Sequence, residues 1–410
     1  MECKVDEIDR ISELPLFMLH RILSCLPRKD AARTSVLSKR WNSVWHSFPI
    51  FDFQQTTYVK EDRRTPGFAE KFGGFLNSVD KSLHKFSQNK LRIETLHLDM
   101  VLTDRNSVPM INTWLPLALH NGVSDIYFRV YTKFAGSRGS DYYYPLPETT
   151  FVVKSICGSS VFYHLQNLRL SMVYLSENSI RDIIRNCPNI SALNLWFFRG
   201  LKTLEISKLG RLERLDIGVS ECGIESVSVD APNLKYFTFI SYVSKLPCVI
   251  QLTSCHDLKR LYISSCTITD YLFNSHLSRF PFLEHLGISE CHMLRKIRIS
   301  AQWLKSLVLD NCGELEVVQI HAPNLSKFEC STFGNMPILP AENVIPCSVK
   351  ISYQLTNKNG PVDSFWFLKL REFLGVSARA ICFSLHVDVI EVRLVVLNLS
   401  LFFFPLSFCS

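Results

Sequence analysis

The sequence predicts an α+β protein in which a small group of three N-terminal helices precedes a solenoid of short parallel strands. The first observation is the helical spacing of apolar residues within residues 11–45. The second is a Leu-x-x-Leu-x-(Leu/Ile) pattern that recurs through residues 165–330, with later copies 10 or 11 residues apart. Repeats of this kind indicate turns that stack on one another, because a single turn leaves its apolar face uncovered.

The first of the three helices lies between two Leu-Pro pairs. Pro15 is expected at its first position, where a missing N–H costs no hydrogen bond, and Pro27 is expected to end it. Its apolar face contains Leu19, Ile22, Leu23 and Leu26. The segment is too short to bury this face by itself, so the face must pack against another surface.

The second and third helices each have a candidate N-cap. Asp30 is expected to cap the second helix and Ser38 the third. In the third helix Trp41 and Trp45 lie four residues apart on one face. The planar guanidinium of Arg40 beside them is suited to bridging backbone carbonyls or carboxylates.

Many residues of this segment match one pattern in register, namely Leu14, Pro15, Ile22, Leu23, Ser24, Leu26, Pro27, Asp30, Ala31, Arg33, Thr34, Ser35, Val36, Leu37, Ser38, Lys39, Arg40, Trp41 and Trp45. Through them residues 8–53 resemble an F-box in its plant form. The resemblance implies docking on a Skp-type adaptor, which joins an F-box protein to the cullin and RING subunits of a ubiquitin ligase. The alternative is a small helical core that packs only on the downstream domain.

The resemblance also implies which residues bind the adaptor, and these are Leu14, Pro15, Ile22, Leu23, Leu26, Pro27, Val36, Leu37, Arg40, Trp41 and Trp45. One feature departs from the F-box pattern. The family places acidic residues directly after the first Leu-Pro, whereas this chain has Leu16 and Phe17 there. Each missing charge near a helix N-terminus costs up to about 1 kcal/mol. We therefore expect a weaker helix start without loss of the fold, and the pattern does not fix the strength of adaptor docking.

The copies of the leucine pattern begin at Leu165, Ile190, Leu201, Leu212, Leu258, Leu283, Leu294, Leu304 and Leu315, with aromatic variants at Leu234 and Leu325. Two half-units make a 21-residue period, which is typical of leucine-rich repeats. The short half-period predicts an extended return side over residues 283–330. Longer returns predict helices over residues 176–187 and 270–280. The solenoid is expected to span residues 91–335.

Three cysteines occupy one repeat position. Cys266, Cys291 and Cys312 each lie five residues after the second leucine of their repeat, where a small buried side chain turns the strand into the loop. Their spacing follows the repeat, which favours a structural role over a metal or redox site.

The solenoid is flanked by segments of other kinds. Residues 54–90 are expected to form a linker and a helix that caps the first repeat. The apolar residues at helical spacing in this segment are Phe68, Phe72, Phe75, Leu76, Val79, Leu83 and Phe86. Residues 365–375 resemble part of the FBD region found in plant F-box proteins with leucine-rich repeats, so residues 340–390 are interpreted as a partial FBD-like region. Residues 391–410 are an apolar tail, read as a buried strand or out-of-place sequence in preference to a membrane anchor.

Composition points to an ordinary globular protein. Apolar residues make up 47% and charged residues 20% of the 410 residues, with a modest net charge of +7. No run of Lys and Arg alternates with aromatic residues, so we expect no nucleic-acid partner. Residues 1–15 lack the apolar core of a secretory signal, and fourteen cysteines without a C-x-x-C pair indicate reduced thiols in the cytoplasm or nucleus.

No catalytic motif is present in the sequence, which lacks a P-loop, G-x-G-x-x-G, H-E-x-x-H and G-x-S-x-G. We expect no catalytic residue, no cofactor and no metal. The resemblance implies a non-catalytic subunit of a cullin-RING (SCF-type) ubiquitin ligase, whose repeats bind a protein substrate. The alternative is a leucine-rich-repeat scaffold or ligand co-receptor that does not assemble into an active ligase.

Overall fold

The computed structural model describes residues 11–59, 65–134, 142–152, 162–219, 224–242, 248–332, 348–353, 382–387 and 390–394. The chain divides into two compact units, residues 1–190 and 191–410. The α-helices are α1 (Leu16–Ser24), α2 (Arg28–Arg33), α3 (Lys39–His46), α4 (Gln55–Tyr58), α5 (Phe68–Gln88), α6 (Val108–His120), α7 (Glu177–Asn186) and α8 (Asp270–Leu277), with 3-10 turns at Thr34–Val36, Arg105–Ser107 and Glu148–Phe151.

The strands of the first unit are β1 (Ile50–Gln54), β2 (Thr95–Leu102), β3 (Asp125–Thr132), β4 (Tyr144–Pro145), β5 (Asn167–Ser171) and β6 (Val173–Tyr174). Those of the second unit are β7 (Ala192–Phe198), β8 (Thr203–Ile206), β9 (Arg214–Val219), β10 (Ser226–Asp230), β11 (Tyr236–Ser241), β12 (Val249–Thr253), β13 (Arg260–Ser264), β14 (His285–Ser289), β15 (Lys296–Ser300), β16 (Ser306–Asp310), β17 (Val317–His321), β18 (Lys327–Thr332), β19 (Ser348–Tyr353), β20 (Cys382–Val387) and β21 (Ile390–Leu394). The predicted fold class, three helices followed by parallel-strand repeats, is confirmed.

The N-terminal helices start differently from the prediction at two points. Pro15 is the N-cap of α1 rather than its first residue, and its carbonyl accepts hydrogen bonds from the N–H groups of Met18 and Leu19. Asp30 lies inside α2, which begins directly after Pro27. In both cases the proline has an extended backbone that leads into the helix without supplying a side-chain cap. The prediction for Ser38 is confirmed, because its Oγ accepts the N–H of Trp41 at 3.1 Å.

These helices share one small core. Its buried members are Leu19, Leu23, Ala31, Trp41, Val44 and Phe48. Four partly buried residues pack against it, namely Leu14, Ile22, Trp45 and Ile50. The three helices therefore bury an apolar face among themselves.

Helix α5 connects two paired strands. Strand β1 pairs in parallel with β2, and α5 lies between them in the chain. The seven apolar residues expected at helical spacing are all buried. We expected this helix to close an open end of the solenoid. Because β1 and β2 pair directly, α5 is the segment that returns the chain from β1 to β2.

The first unit continues with helical returns. Strands β1, β2, β3 and β5 pair in parallel in this order. Their apolar positions are in register, so that Leu96 faces Ile126 and Ile126 faces Leu168. Helix α6 connects β2 to β3. Helix α7 begins at the Ser176 cap and buries Ile180 and Ile183, as predicted for residues 176–187.

The second unit stacks the leucine pattern in register. Strands β7, β9, β11, β13, β14, β16, β18, β19 and β20 are parallel neighbours, and β21 is antiparallel to β20. The second leucine position of successive turns holds Leu215, Phe237, Leu261, Leu286, Leu307 and Phe328. Each of these side chains is covered by those of the neighbouring turns, and all are at most 3% exposed.

The return side of this unit is more extended than predicted. Strands β15 and β17 pair in parallel, which confirms the extended return over residues 283–330. A second set, β12, β10 and β8, forms another parallel sheet before it. Helix α8 lies between these two sets of strands in the chain, close to its predicted bounds. Its Asp270 carboxylate accepts the backbone N–H groups of Arg295 and Lys296, which satisfies the edge of β15.

The repeat cysteines form a buried ladder. Repeat spacing brings neighbouring thiols together rather than keeping them apart, and the sulfur atoms of Cys266 and Cys291 lie 3.8 Å apart. The thiol of Cys291 donates to the carbonyl of Ser289 at 3.3 Å. Burial raises the pKa of Cys312 to about 12, so its thiol stays protonated at neutral pH. These contacts agree with a packing role.

The C-terminal predictions fall mostly outside the described residues. Residues 365–375, which carry the FBD resemblance, lie there, as do residues 395–410 of the apolar tail. The beginning of that tail is part of β21. Within the part of the chain that the structure describes, no helix is long and apolar enough to cross a bilayer.

Candidate functional site

The start of α1 and the start of α3 are held together by one side chain. Arg40 Nη2 donates to the carbonyl oxygen of Leu14 at 2.8 Å, the type of contact expected for this guanidinium. Ser38, two residues before Arg40, caps the start of α3. The hydrogen bond therefore fixes the residues around Leu14 and those around Arg40 on one side of the helical segment.

The eleven residues predicted to bind an adaptor do not share one environment. Leu23 and Trp41 are buried members of the core, with 1% and 7% exposure. Three are half-buried against that core, namely Leu14, Ile22 and Trp45. The exposed ones are Pro15, Leu26, Pro27, Val36, Leu37 and Arg40. A partner chain can contact this last group directly.

Large apolar side chains are exposed over the same segment. Val36 is 84% exposed, Leu37 68% and Phe17 67%. We define the apolar docking surface as Leu16, Phe17, Met18, Leu26, Val36 and Leu37. The hydrogen bond from Arg40 to the Leu14 carbonyl joins the residue that precedes Pro15 and α1 to the start of α3, which follows Val36 and Leu37 in the chain. Exposed apolar patches of this kind mark interaction sites in soluble proteins.

The sequence pattern alone did not assign Leu16 and Phe17 to this surface. They were noticed as replacements of acidic residues, and the first turn of α1 indeed contains no acidic residue. The structure gives them a second property, since Leu16 is 49% and Phe17 67% exposed. The signal available in the sequence was two large apolar residues directly after Leu14-Pro15, where the F-box pattern has acidic ones.

A second contact joins the helices to the first strand. The Arg28 guanidinium lies 5.0 Å from the ring centroid of Phe53 and 5.9 Å from that of Trp45. Its Nε donates to the hydroxyl of Tyr58 at 2.8 Å. Arg28 thus links α2 to α3, β1 and α4 and holds the helical segment against the first strand.

His20 packs as a neutral side chain. Burial lowers its pKa, and its Nε2 lies 3.1 Å from Ser47 Oγ. Its ring makes an edge-to-face contact with Phe48, with centroids 5.8 Å apart. The ring therefore contributes to packing at the end of α3.

The second candidate surface is the exposed face of the repeat strands. In β9, β11 and β16 buried and less buried residues alternate, as a period-2 strand requires. Exposed positions of successive turns therefore adjoin one another. Among the residues that the structure covers, no three His, Cys, Asp or Glu side chains come close enough to hold a metal ion.

A short three-helix segment with exposed apolar residues, followed by in-register parallel-strand repeats, defines an F-box protein with leucine-rich repeats. Family models match both parts: the F-box domain matches residues 11–53, and the "At1g61320/AtMIF1, LRR domain" matches residues 82–249 and 244–345. The second model covers more than half of the chain. The chain therefore belongs to the At1g61320/AtMIF1-type LRR domain family and carries an F-box domain at its N-terminus.

Curated relatives come from Arabidopsis thaliana. F-box/LRR-repeat protein At5g02910 is 28% identical over 324 residues, 74% of this chain and 63% of that protein. F-box protein At5g03100 is 26% identical over 323 residues, 75% of this chain and 94% of that protein. Another relative is 29% identical over 273 residues, and the match spans 53% of its length. The chain thus spans about half to two thirds of the length of several relatives that it matches.

Proposed function

We propose that this chain is a substrate-recognition subunit of a cullin-RING (SCF-type) ubiquitin ligase. Its F-box docks on a Skp-type adaptor, and the adaptor connects it to the cullin and RING subunits. Its repeats hold a protein substrate. The chain itself performs no chemistry, in keeping with an F-box and leucine-rich-repeat architecture that is typical of non-catalytic adaptor proteins.

The observation that carries the proposal is the apolar docking surface. Val36, Leu37 and Phe17 expose most of their side chains although the helical segment has its own core. Exposing large apolar residues is unfavourable, by roughly 25 cal/mol per Å² of surface left in water. A partner that covers this surface removes that cost, and the F-box match over residues 11–53 indicates a Skp-type adaptor as the partner.

The mechanism is geometric. A chain that holds an adaptor at one surface and a substrate at another makes the meeting of substrate and ubiquitin-charged subunit effectively intramolecular. Effective concentrations for tethered partners reach the order of millimolar. The rate gain therefore comes from positioning. Eight cysteines in the described part of the chain form no disulfide, and a reducing compartment, the cytoplasm or nucleus, is our proposed location for the complex.

The test is an adaptor pull-down with a double variant on the apolar docking surface. Val36→Asp combined with Leu37→Asp puts two charges at exposed positions, so the fold is retained while the partner interface is disrupted. We expect at least about a hundredfold weaker adaptor binding, since interface hot spots are worth 2 kcal/mol or more each.

The matched control combines Tyr271→Asp with Met293→Asp. Both residues are exposed, by 80% and 56%, and both lie in the second unit. This variant is expected to bind the adaptor like the unmodified chain. If the two double variants bind equally well, the proposal fails, and a repeat scaffold or ligand co-receptor outside a ligase is the better account.

A further inference from the structure

The exposed face of the second unit has a row of cationic side chains near the beginnings of its strands. Arg214, Tyr236, Arg260, His285, Ser306 and Lys327 are partners in successive parallel strands. The residues just before the strands add Lys235, Lys259 and Lys305. We define the cationic strand face as Arg214, Lys235, Lys259, Arg260 and Lys305.

Two of these cations are ordered by an aromatic ring. The Arg214 guanidinium lies 4.4 Å from the ring centroid of Tyr236, and that of Arg260 lies 5.8 Å from the same centroid. Within the described ranges, neither guanidinium has a carboxylate at ion-pair distance. Ring contacts hold a guanidinium plane while leaving its N–H donors free for an oxyanion. The pair is therefore preorganised for an anionic ligand.

The three lysines are only partly neutralised. Lys235 pairs with Glu213 at 2.8 Å, whereas Lys259 and Lys305 share Glu284 at 3.8 and 2.6 Å. The five cationic side chains of this face thus have two glutamates as ion-pair partners. Burial lowers the pKa of His285, and the charges of Arg260 and Lys305 lower it further, although Glu284 opposes them. The local potential is positive.

Other carboxylates near this face oppose the charge only in part. Asp257 lies just before β13, and its charge helps to raise the pKa of Lys235. Asp310 ends β16 and Glu290 follows β14, so both lie at the opposite ends of the strands. Asp216 lies closer, two residues along β9 from Arg214, which is about 7 Å in a strand. Across the strand beginnings the five cations still outnumber the carboxylates of Glu213, Glu284 and Asp257.

Aromatic rings broaden the same face. The Trp196 ring lies over Gly218, and the Tyr262 ring lies over Gly287, so closely that a Cβ at either glycine would overlap the ring. Each glycine therefore makes room for a ring lying across the neighbouring strand. Trp, Tyr and Arg are the residue types that dominate binding energy at protein interfaces.

We propose that the cationic strand face, with the rings of Trp196, Tyr236 and Tyr262, binds an acidic peptide segment of the recruited protein. Charge complementarity selects this occupant, since Arg214 and Arg260 offer forked donors to carboxylates or phosphates. The aromatic rings accept the apolar side chains between the acidic residues. That the peptide belongs to a ubiquitination substrate rests on the proposed function, whereas the binding itself does not.

The test measures peptide affinity by fluorescence anisotropy with the full chain. The probes are a labelled peptide rich in Asp and Glu, its phosphoserine version, a neutral peptide of equal length and a single-stranded DNA of equal charge. We expect both anionic peptides to bind more tightly than the neutral one, and their ranking separates carboxylate from phosphate as the source of the charge. Equal affinity for the neutral peptide, or tighter binding of the DNA, overturns the proposal.

A variant pair locates the site. Arg214→Gln with Arg260→Gln is expected to weaken acidic-peptide binding at least about tenfold, because each lost charge-assisted hydrogen bond is worth roughly 1.5 kcal/mol or more. The control, Lys296→Gln with Arg298→Gln, removes the same charge from exposed positions of β15 on the return side. It is expected to change affinity less than about twofold. Equal effects of the two variants overturn the proposal.

Two further measurements keep the outcomes apart. If the arginine variant unfolds at a lower temperature, the salt dependence of peptide binding by the unmodified chain is the deciding measurement. We expect at least about a tenfold loss of affinity between low and high ionic strength. A constant affinity contradicts the proposal. Adaptor pull-down with Arg214→Gln and Arg260→Gln is expected to be unchanged. Failure of peptide binding with intact adaptor docking refutes this inference alone, and the reverse result refutes the proposed function alone.

Discussion

The F-box leaves several large apolar side chains exposed, whereas the repeats of the second unit bury theirs. In the F-box, six residues form the buried core while Val36 and Leu37 are 84% and 68% exposed. In the repeats, Leu261, Leu286 and Leu307 are at most 3% exposed because each turn is covered by the next. A short segment has no neighbouring copy, so part of its apolar surface remains for a partner.

The difference extends to how each part recognises a partner. The F-box offers apolar side chains, which favour a permanent and water-excluding contact. The repeats offer the cationic strand face, which favours steering and selection by charge. If both proposals hold, the apolar contact suits a constant adaptor and the charged one suits substrates that differ.

The largest expected effect breaks the F-box side of this comparison. Leu23→Ala removes a side chain that is 1% exposed within a core of six residues, and should lower the free energy of unfolding by about 2–5 kcal/mol. Val36→Ala, at an exposed position, should change it by less than about 0.5 kcal/mol. Urea denaturation followed by tryptophan fluorescence measures both. Similar losses in the two variants would contradict the division into core and docking surface.

The next effect concerns the repeats. Gly287→Ala places a Cβ against the Tyr262 ring and should cost about 1–3 kcal/mol through overpacking. Adding Tyr262→Ala removes the obstructing ring, so the double variant should be less sensitive to the change at Gly287 than the parent chain. A double-mutant cycle from thermal or urea unfolding gives this coupling. Additive losses would mean that the ring does not lie over Gly287.

A smaller effect sharpens the local basis of the F-box. Ser38→Ala removes the hydrogen bond from the Trp41 N–H to Ser38 Oγ, and should destabilise α3 by about 1 kcal/mol. Ser38→Asp retains an acceptor and should restore most of the stability. Hydrogen exchange of the first turn of α3 is the direct measurement. Unchanged exchange in Ser38→Ala would exclude the cap as a stabilising contact.

The smallest effect is a dependence on pH. Burial lowers the pKa of His20, so the unfolded chain takes up a proton more readily than the folded one. The stability from neutral His20 is present above its ordinary pKa of about 6.5 and is lost as pH falls from there through the lowered pKa. The melting temperature of His20→Asn should therefore fall less than that of the parent chain on acidification. If the melting temperatures of His20→Asn and of the parent chain fall equally over this pH range, His20 does not contribute to the loss of stability in acid.

Much of the fold follows from local patterns. Seven apolar residues at helical spacing located α5, and the leucine pattern located the repeat strands that pair in register. Periodicity is readable because one buried face imposes it on neighbouring residues. The bounds of α7 and α8 followed for the same reason.

The structural roles of α5 and of the repeat cysteines were harder to predict from the sequence. The pattern of α5 did not reveal that β1 pairs with β2, since that pairing joins residues such as Phe51 and Leu96 that are distant in the chain. Nor did the spacing of Cys266 and Cys291 reveal that their sulfur atoms approach to 3.8 Å. Both facts depend on how turns stack.

The candidate sites divide in the same way. The F-box residues were recognisable as a set, but the pattern could not separate Leu23 and Trp41, which are buried, from Val36 and Leu37, which are exposed. The stack of Arg214 and Arg260 on Tyr236 left no signal in the sequence, because its members are 22 to 46 residues apart.

The sequence by itself thus determined an F-box followed by leucine-rich repeats, since helical and strand periods are properties of contiguous residues. Only the tertiary structure decided which apolar side chains of the F-box are exposed and where the repeats gather positive charge. Packing between segments distant in the chain assigns each residue to the core or the surface, and no local pattern contains that assignment.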